Sequence, residues 1–135
     1  MKGQTAFEFM VIAIFVLAFI TPIWVYLGQI QTQTNDQFTL SYAKNVVNQI
    51  AKKADLVYSQ RMDASVKIEV YIPMGVERIN ISGNEINMHV SSLSGSTDVY
   101  ATSIAQMQGS LPANEGLYWV LIKAEGDYVN ITLAP

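Results

Sequence analysis

The chain contains no cysteine, which excludes disulfides, thiolate chemistry and cysteine-ligated metal sites. It has a single histidine, His89, and one histidine cannot form a metal cluster by itself. The sequence shows no paired carboxylates, no Ser-His-Asp arrangement and no glycine-rich phosphate loop. It therefore predicts a protein that is not an enzyme and that binds no metal and no cofactor.

Charged residues are scarce as well. They make up 14% of the chain, against about 25% in a typical soluble protein. The formal net charge is −3, and the lysines and arginines are scattered along the chain. Because nucleic-acid binding requires a clustered basic surface, the composition predicts no nucleic-acid partner.

The chain does contain one long apolar run, from Ala6 to Leu27, in which Glu8 is the only charged residue. As a helix, this run would extend about 33 Å, enough to cross the hydrocarbon core of a bilayer. Trp24 and Tyr26 near its end suit a membrane–water interface. No small-residue cleavage site follows it, as would be expected after a secretory signal. We predict a single membrane anchor, with Lys2 and the amino terminus in the cytoplasm and the rest of the chain outside.

The helical period continues after the apolar run, although the composition becomes polar. Apolar residues recur at spacings of three and four, which is typical of an amphipathic helix. These residues are Ala43, Val46, Val47, Ile50, Ala54 and Val57. One glycine, Gly28, costs a helix only about 1 kcal/mol. The pattern therefore predicts a nearly continuous helix from about Gln4 to Gln60, softened at Pro22 and Gly28.

After Asp63 the apolar period changes from 3.6 to 2, which is typical of β-strands. Gly83-Asn84 predicts a two-residue hairpin turn, and Ser91–Thr97 predicts a loop. Leu117–Ala124 is apolar on both faces, so we expect a central strand with Trp119 in the core. In the last strand, the inward residues are expected to be Val129, Ile131 and Leu133. We expect five or six strands in all.

The predicted fold class is therefore α+β. A long N-terminal α-helix, hydrophobic in its first half and amphipathic in its second, precedes a small antiparallel β-sheet or sandwich packed on the helix.

Glu8 is the unusual residue of the apolar run, because a carboxylate near the centre of a membrane helix costs about 2.5–3.5 kcal/mol and somewhat less near its end. Either the side chain reaches the cytoplasmic interface or it has a partner. The segment Lys2–Phe9 (KGQTAFEF) bears on this choice, since it resembles the processing site of archaeal type IV pilin-like proteins, the family with class III signal peptides. In that family a short basic leader is cut after a glycine, a glutamine becomes the first mature residue, and a glutamate is the fifth.

The resemblance implies cleavage between Gly3 and Gln4, which makes Glu8 the fifth mature residue. The chain departs from the family pattern at Ala6, where serine is frequent, and in the shortness of its leader. The resemblance also implies that the helix first anchors the subunit in the membrane and later packs with other copies in a filament. Glu8 would then neutralise the amine of Gln4 on its own or an adjacent subunit.

Phe7 and Phe9 flank Glu8 and belong to the implied assembly surface. Pro22 removes one helical hydrogen bond, so it either permits local melting between packed helices or is a tolerated membrane proline. The implied partners are further copies in a helical filament, a prepilin peptidase, a pilus assembly ATPase and a membrane platform protein, with the membrane itself before assembly.

The implied segments are a leader (1–3), a hydrophobic transmembrane and filament-core helix (4–28), an amphipathic continuation (29–62) and an exported β-rich head (63–135). The expected function is a pilin of an extracellular adhesive filament, located first in the membrane and then at the cell surface. Two alternatives remain, a minor or priming pilin and a signal-anchored binding domain that does not polymerise.

Two Asn-x-Ser/Thr sequons begin at Asn80 and Asn130. Both asparagines fall on the polar side of their strands and should be exposed. On an exported protein they are candidate N-glycosylation sites.

Overall fold

The computed structural model describes residues 2–61 and 63–135, and it contains one helix followed by strands. Helix α1 spans Lys2–Gln60. The strands are β1 (Ser65–Ile72), β2 (Val76–Ser82), β3 (Glu85–Ser92), β4 (Gly95–Thr102), β5 (Gln106–Gly109), β6 (Gly116–Glu125) and β7 (Tyr128–Leu133). The α+β class is confirmed. Met1, which begins the expected leader, and Met62, which ends the expected amphipathic segment, lie outside the described residues.

The chain divides into two compact units. The first ends at Asn35 and the second begins at Asp36. In residues 2–35 the first unit is entirely helical, and none of these residues is buried. Within the described residues, α1 is the one helix long and apolar enough to cross a membrane. This agrees with the anchor expected from the sequence.

The second unit, which we call the head, contains the last part of α1 and all seven strands. One sheet (sheet A) has the order β1-β6-β7-β5, and the other (sheet B) has the order β2-β3-β4. All pairs are antiparallel except β5 with β7, which are parallel. The expectation of five or six antiparallel strands was therefore incomplete. A strand as short as β5 carries too few residues to give a period-2 pattern.

The hairpin between β3 and β4 corrects the expected loop at Ser91–Thr97. Ser92 pairs with Gly95, so only Leu93 and Ser94 form the turn. The polar residues that resembled a loop belong to an edge strand, and its first four positions are exposed. The other expected hairpin turn, Gly83-Asn84, is confirmed between β2 and β3.

The amphipathic stripe of α1 is confirmed as the helical side of the core. Its buried residues are Ala43, Val46, Val47, Ile50, Ala51, Ala54 and Val57. They form one hydrophobic cluster with the inner-face residues of both sheets, such as Ile72, Met88 and Ile131, which are fully buried. The helix supplies seven of the 25 buried residues in this cluster, so it completes the core that the two sheets form.

Strand β6 is central, as expected, but Trp119 is not in the core. The inner face of β6 carries the buried residues Val120, Ile122 and Ala124, whereas Trp119 is on the outer face and 51% exposed. The Lys67 ammonium lies 5.4 Å from the centroid of the Trp119 ring, a cation–π contact. The expectation failed because only the inner face of sheet A is covered.

Two Asp–Ser hydrogen bonds join α1 to the ends of β4. The Ser94 hydroxyl donates to Asp36 over 2.7 Å, and the Ser103 hydroxyl donates to Asp55. The aspartates are 19 residues apart, about 28 Å along a helix, and the serines are nine residues apart, about 30 Å along a strand. The matching lengths place edge strand β4 alongside the helix.

These two bonds differ in burial, which yields a prediction. Asp55 also accepts a bond from the Ile104 amide at 2.9 Å, and its partner Ser103 is 8% exposed. The Asp36–Ser94 bond is exposed. Asp55→Ala should lower the free energy of unfolding of the head by about 1–3 kcal/mol, because a buried hydroxyl and an amide lose their acceptor. Asp36→Ala, the matched control, should cost less than about 1 kcal/mol.

Urea unfolding of the full chain in mild detergent measures both values. Trp119 fluorescence reports on the head when Trp24 is replaced by phenylalanine. Equal losses for the two aspartates would contradict the role assigned to burial.

Candidate functional site

The expected cleavage site lies in the first turn of α1. Gly3 has open space around it, since a Cβ built there meets no atom within 4 Å. Packing within the chain therefore does not require glycine at this position. The first turn of a helix has amides without intrahelical partners, so the hydrogen bonding of α1 is weak at this end.

Gln4 and Glu8 are four residues apart in a regular helix, which places them on one face with Cβ atoms about 5–6 Å apart. Both side chains are exposed. Among residues 2–61 and 63–135, Glu8 forms no ion pair. An amine created on Gln4 by cleavage before it would lie one helical turn from the Glu8 carboxylate of the same chain.

Phe7 and Phe9 are 67% and 73% exposed, which is unusual for phenylalanine in water. They belong to a surface of exposed apolar side chains that runs along the first unit. Its large members beyond these two are Met10, Ile12, Ile14, Phe15, Val16, Leu17, Phe19, Ile20, Ile23, Trp24, Val25, Tyr26, Leu27 and Ile30. A surface of this extent marks contact with lipid or with another apolar surface.

Pro22 lies inside α1, and the helix continues through it. Proline supplies no amide hydrogen, so the carbonyl four residues earlier lacks its usual donor. Just before it, the Thr21 hydroxyl donates to the Leu17 carbonyl over 2.7 Å. Hydroxyl bonds of this kind often bend helices. The backbone hydrogen bonding of α1 is therefore weakened at Pro22, although the helix is not broken there.

Both sequon asparagines lie on outer sheet faces. Asn80 on β2 is exposed and pairs with Asn87. Asn130 on β7 is partly buried and pairs with Lys123. Of the two side-chain amides, that of Asn80 is the more accessible to a modifying enzyme.

His89 lies on the outer face of sheet B, where it has two carboxylate neighbours. Its Nδ1 atom lies 2.6 Å from an Asp98 carboxylate oxygen, and its Nε2 atom lies 3.5 Å from Glu77. The β3–β4 register places Asp98 directly opposite His89. The sequence does not predict this neighbour, because a loop at Ser91–Thr97 would leave the register of the following strand undefined.

Two tyrosine hydroxyls have a pKa above the ordinary value for tyrosine. A hydrogen bond to Glu115 raises the pKa of Tyr71, and a hydrogen bond to Glu125 raises the pKa of Tyr128. Both phenols are therefore protonated at neutral pH. Each phenol donates a hydrogen bond to a surface carboxylate and so holds that carboxylate in place.

Comparison with known proteins gives no relative. No protein-family model, no curated protein and no solved structure matches the chain. The described residues contain no group of three or more metal-ligating side chains placed to hold an ion. The feature of this chain that calls for a function is thus the exposed apolar surface of α1, with Gly3, Gln4 and Glu8 at its start.

Proposed function

We propose that this chain is a pilin, a structural subunit that polymerises into a type IV-like extracellular filament through its N-terminal helix. One observation carries the proposal. Among the described residues, no apolar side chain between Ala6 and Leu27 is buried, whereas the head has a hydrophobic core of its own. The apolar surface therefore serves contacts outside the chain.

Two successive environments would cover this surface. Before assembly, lipid surrounds the helix, which is long enough to span the bilayer. In a filament, the same surface packs against helices of other copies, and each Å² reburied contributes about 25 cal/mol. A subunit can thus leave the membrane without leaving its apolar helix in water. The head stays on the outside and forms the filament surface, where it would make adhesive contacts.

The proposal is tested by the intact mass of the protein recovered from its native cells. The fraction sheared from the cell surface is compared with the membrane fraction. A sheared species that begins at Gln4 would support both processing and surface assembly, and its abundance would separate a major from a minor pilin. A species found only in membranes and still carrying Met1 to Gly3 would favour the signal-anchored binding domain and would refute the filament.

Gly3→Val should block removal of the leader, because a branched side chain replaces the residue that the peptidase is expected to accept. The helix itself should tolerate the change, since the position faces open space. Gly28→Val is the matched control, as Gly28 lies in the same helix and also has no neighbour within 4 Å. Mass spectrometry should give a precursor for Gly3→Val and a mature chain for Gly28→Val. A mature mass in both variants would exclude this cleavage site.

A further inference from the structure

Two turns at one end of the head expose large apolar side chains at their tips. Met74 in the β1–β2 turn is 67% exposed, and Leu93 in the β3–β4 turn is 88% exposed. Turn tips normally carry polar residues or glycine. Leu93 has the highest exposure of the large apolar side chains in the described residues, including those of the membrane-length run. We call Met74 and Leu93 the tip pair.

The two turns are held together in a fixed geometry. The Ser91 amide donates to the Gly75 carbonyl over 2.8 Å, which joins the β1–β2 turn to the end of β3, two residues before Leu93. The Ser92 hydroxyl donates to the Gly95 carbonyl over 2.9 Å and closes the second turn. The tip pair is therefore presented by rigid backbone, which reduces the entropy lost when it binds something.

The tip pair lies close to Asp36, at the N-terminal end of the head. Asp36 is the first residue of the head, and it accepts the Ser94 hydroxyl bond beside Leu93. Both tip residues line one shallow hollow together with Asp36, Thr39, Gly75, Ser91 and Ser92. In the sequence, only the eight residues Gly28–Asn35 separate this end from Leu27, the last residue of the apolar run.

The lining of the hollow also limits the chemistry of a partner. It contains one carboxylate and no lysine or arginine. Electrostatic attraction to anionic headgroups therefore contributes nothing here, and the available contact is apolar. Two adjacent apolar side chains on a tethered domain suit shallow insertion at the boundary between headgroups and acyl chains.

We propose that the tip pair is a membrane contact, which docks the head onto the outer surface of the bilayer while the subunit awaits assembly. This inference rests on the membrane anchor of the proposed function and adds a second attachment to it. Lipid is favoured over a second copy because only eight residues separate Leu27 from Asp36. An anchored chain therefore keeps Asp36, beside the tip pair, within about 30 Å of the end of the apolar run at any protein concentration. Docking would restrict the head to one orientation before it joins a filament.

The test uses the lack of cysteine, which makes single-cysteine labelling clean. The full chain with Leu93→Cys or Met74→Cys is labelled with an NBD fluorophore and reconstituted into phosphatidylcholine vesicles. Ile104→Cys is the matched control, because Ile104 is 70% exposed and lies beside Ser103, at the other end of β4 from Leu93. Quenching is measured with nitroxide-bearing lipid and, separately, with aqueous iodide. Flotation of the vesicles establishes that the chain is inserted.

Labels at positions 74 and 93 should be quenched by nitroxide lipid several-fold more than the label at 104, and iodide should give the opposite order. Labels at 93 and 104 that behave alike in floating vesicles would overturn the tip contact and leave the anchor intact. Protection of position 93 from both quenchers would also overturn it, indicating contact between copies. A chain that fails to float would refute the anchor itself, and the tip contact with it.

Discussion

Glu8→Ala should insert into the membrane and lose its leader normally, yet yield almost no filament. If Glu8 neutralises the amine of Gln4 in a packed bundle of helices, the alanine variant leaves a buried ammonium without a partner. Removing one member of a buried ion pair costs about 3–5 kcal/mol, which corresponds to roughly a hundred-fold or greater loss of association. Insertion should persist, because alanine favours the membrane more than glutamate does. The measurement is the amount of chain in the sheared fraction, with the mass of the membrane fraction as the check on processing.

The matched control for this variant is Thr21→Ala. It also removes a polar group from the apolar run, but the Thr21 hydroxyl only donates to the Leu17 carbonyl of its own helix. Filament yield should be close to that of the unaltered chain. A normal yield for Glu8→Ala would remove the proposed ion pair, and a parallel loss for Thr21→Ala would indicate that any change in the run impairs assembly.

Gly109→Ala should destabilise the head more than any surface substitution. Gly109 ends β5 with a φ of 140°, and a Cβ there would lie 1.8 Å from the Ile131 carbonyl oxygen. Strand β5 would have to separate from β7, and fully buried Met107 would lose its packing. The combined backbone strain and lost packing should lower the free energy of unfolding by about 4 kcal/mol or more. The urea titration with Trp119 fluorescence measures this loss.

Gly95→Ala separates the two contributions to that loss. Gly95 has a similar φ of 134°, but nothing lies within 4 Å of the position of its Cβ. Its alanine variant should therefore show the backbone strain alone, about 1–3 kcal/mol. Equal losses at the two glycines would mean that a small shift of β5 relieves the contact with Ile131.

The features that could be predicted from the sequence are those set by the spacing of apolar residues over short stretches of chain. The membrane-length helix follows from the uninterrupted apolar run, and the buried stripe from Ala43 to Val57 follows from spacings of three and four. The Gly83-Asn84 hairpin follows from two residues that favour the turn. The order of helix and strands along the chain can be predicted without knowing which residues are in contact in the folded protein.

Some of the candidate functional residues could also be predicted from the sequence, and others could not. Gly3, Gln4 and Glu8 were selected by their spacing along the chain, and a regular helix is enough to place Gln4 and Glu8 on one face. The tip pair was not predicted, because Leu93 fell within the expected Ser91–Thr97 loop and Met74 within an ordinary turn. Their proximity depends on the hydrogen bond that joins the β1–β2 turn at Gly75 to β3 at Ser91.

The sequence by itself thus determined one long helix with an apolar and an amphipathic half, the α+β class, and the spacing of Gly3, Gln4 and Glu8 on which the proposed function rests. The tertiary structure decided which face of each strand is covered, that Trp119 is outside the core, and that His89 meets Asp98. It also decided the parallel pairing of β5 with β7. The physical reason is that the spacing of apolar residues along the chain shows only which residues share a face of a helix or strand. Whether that face is buried, and which residues it meets, depends on strand register and on what packs against it.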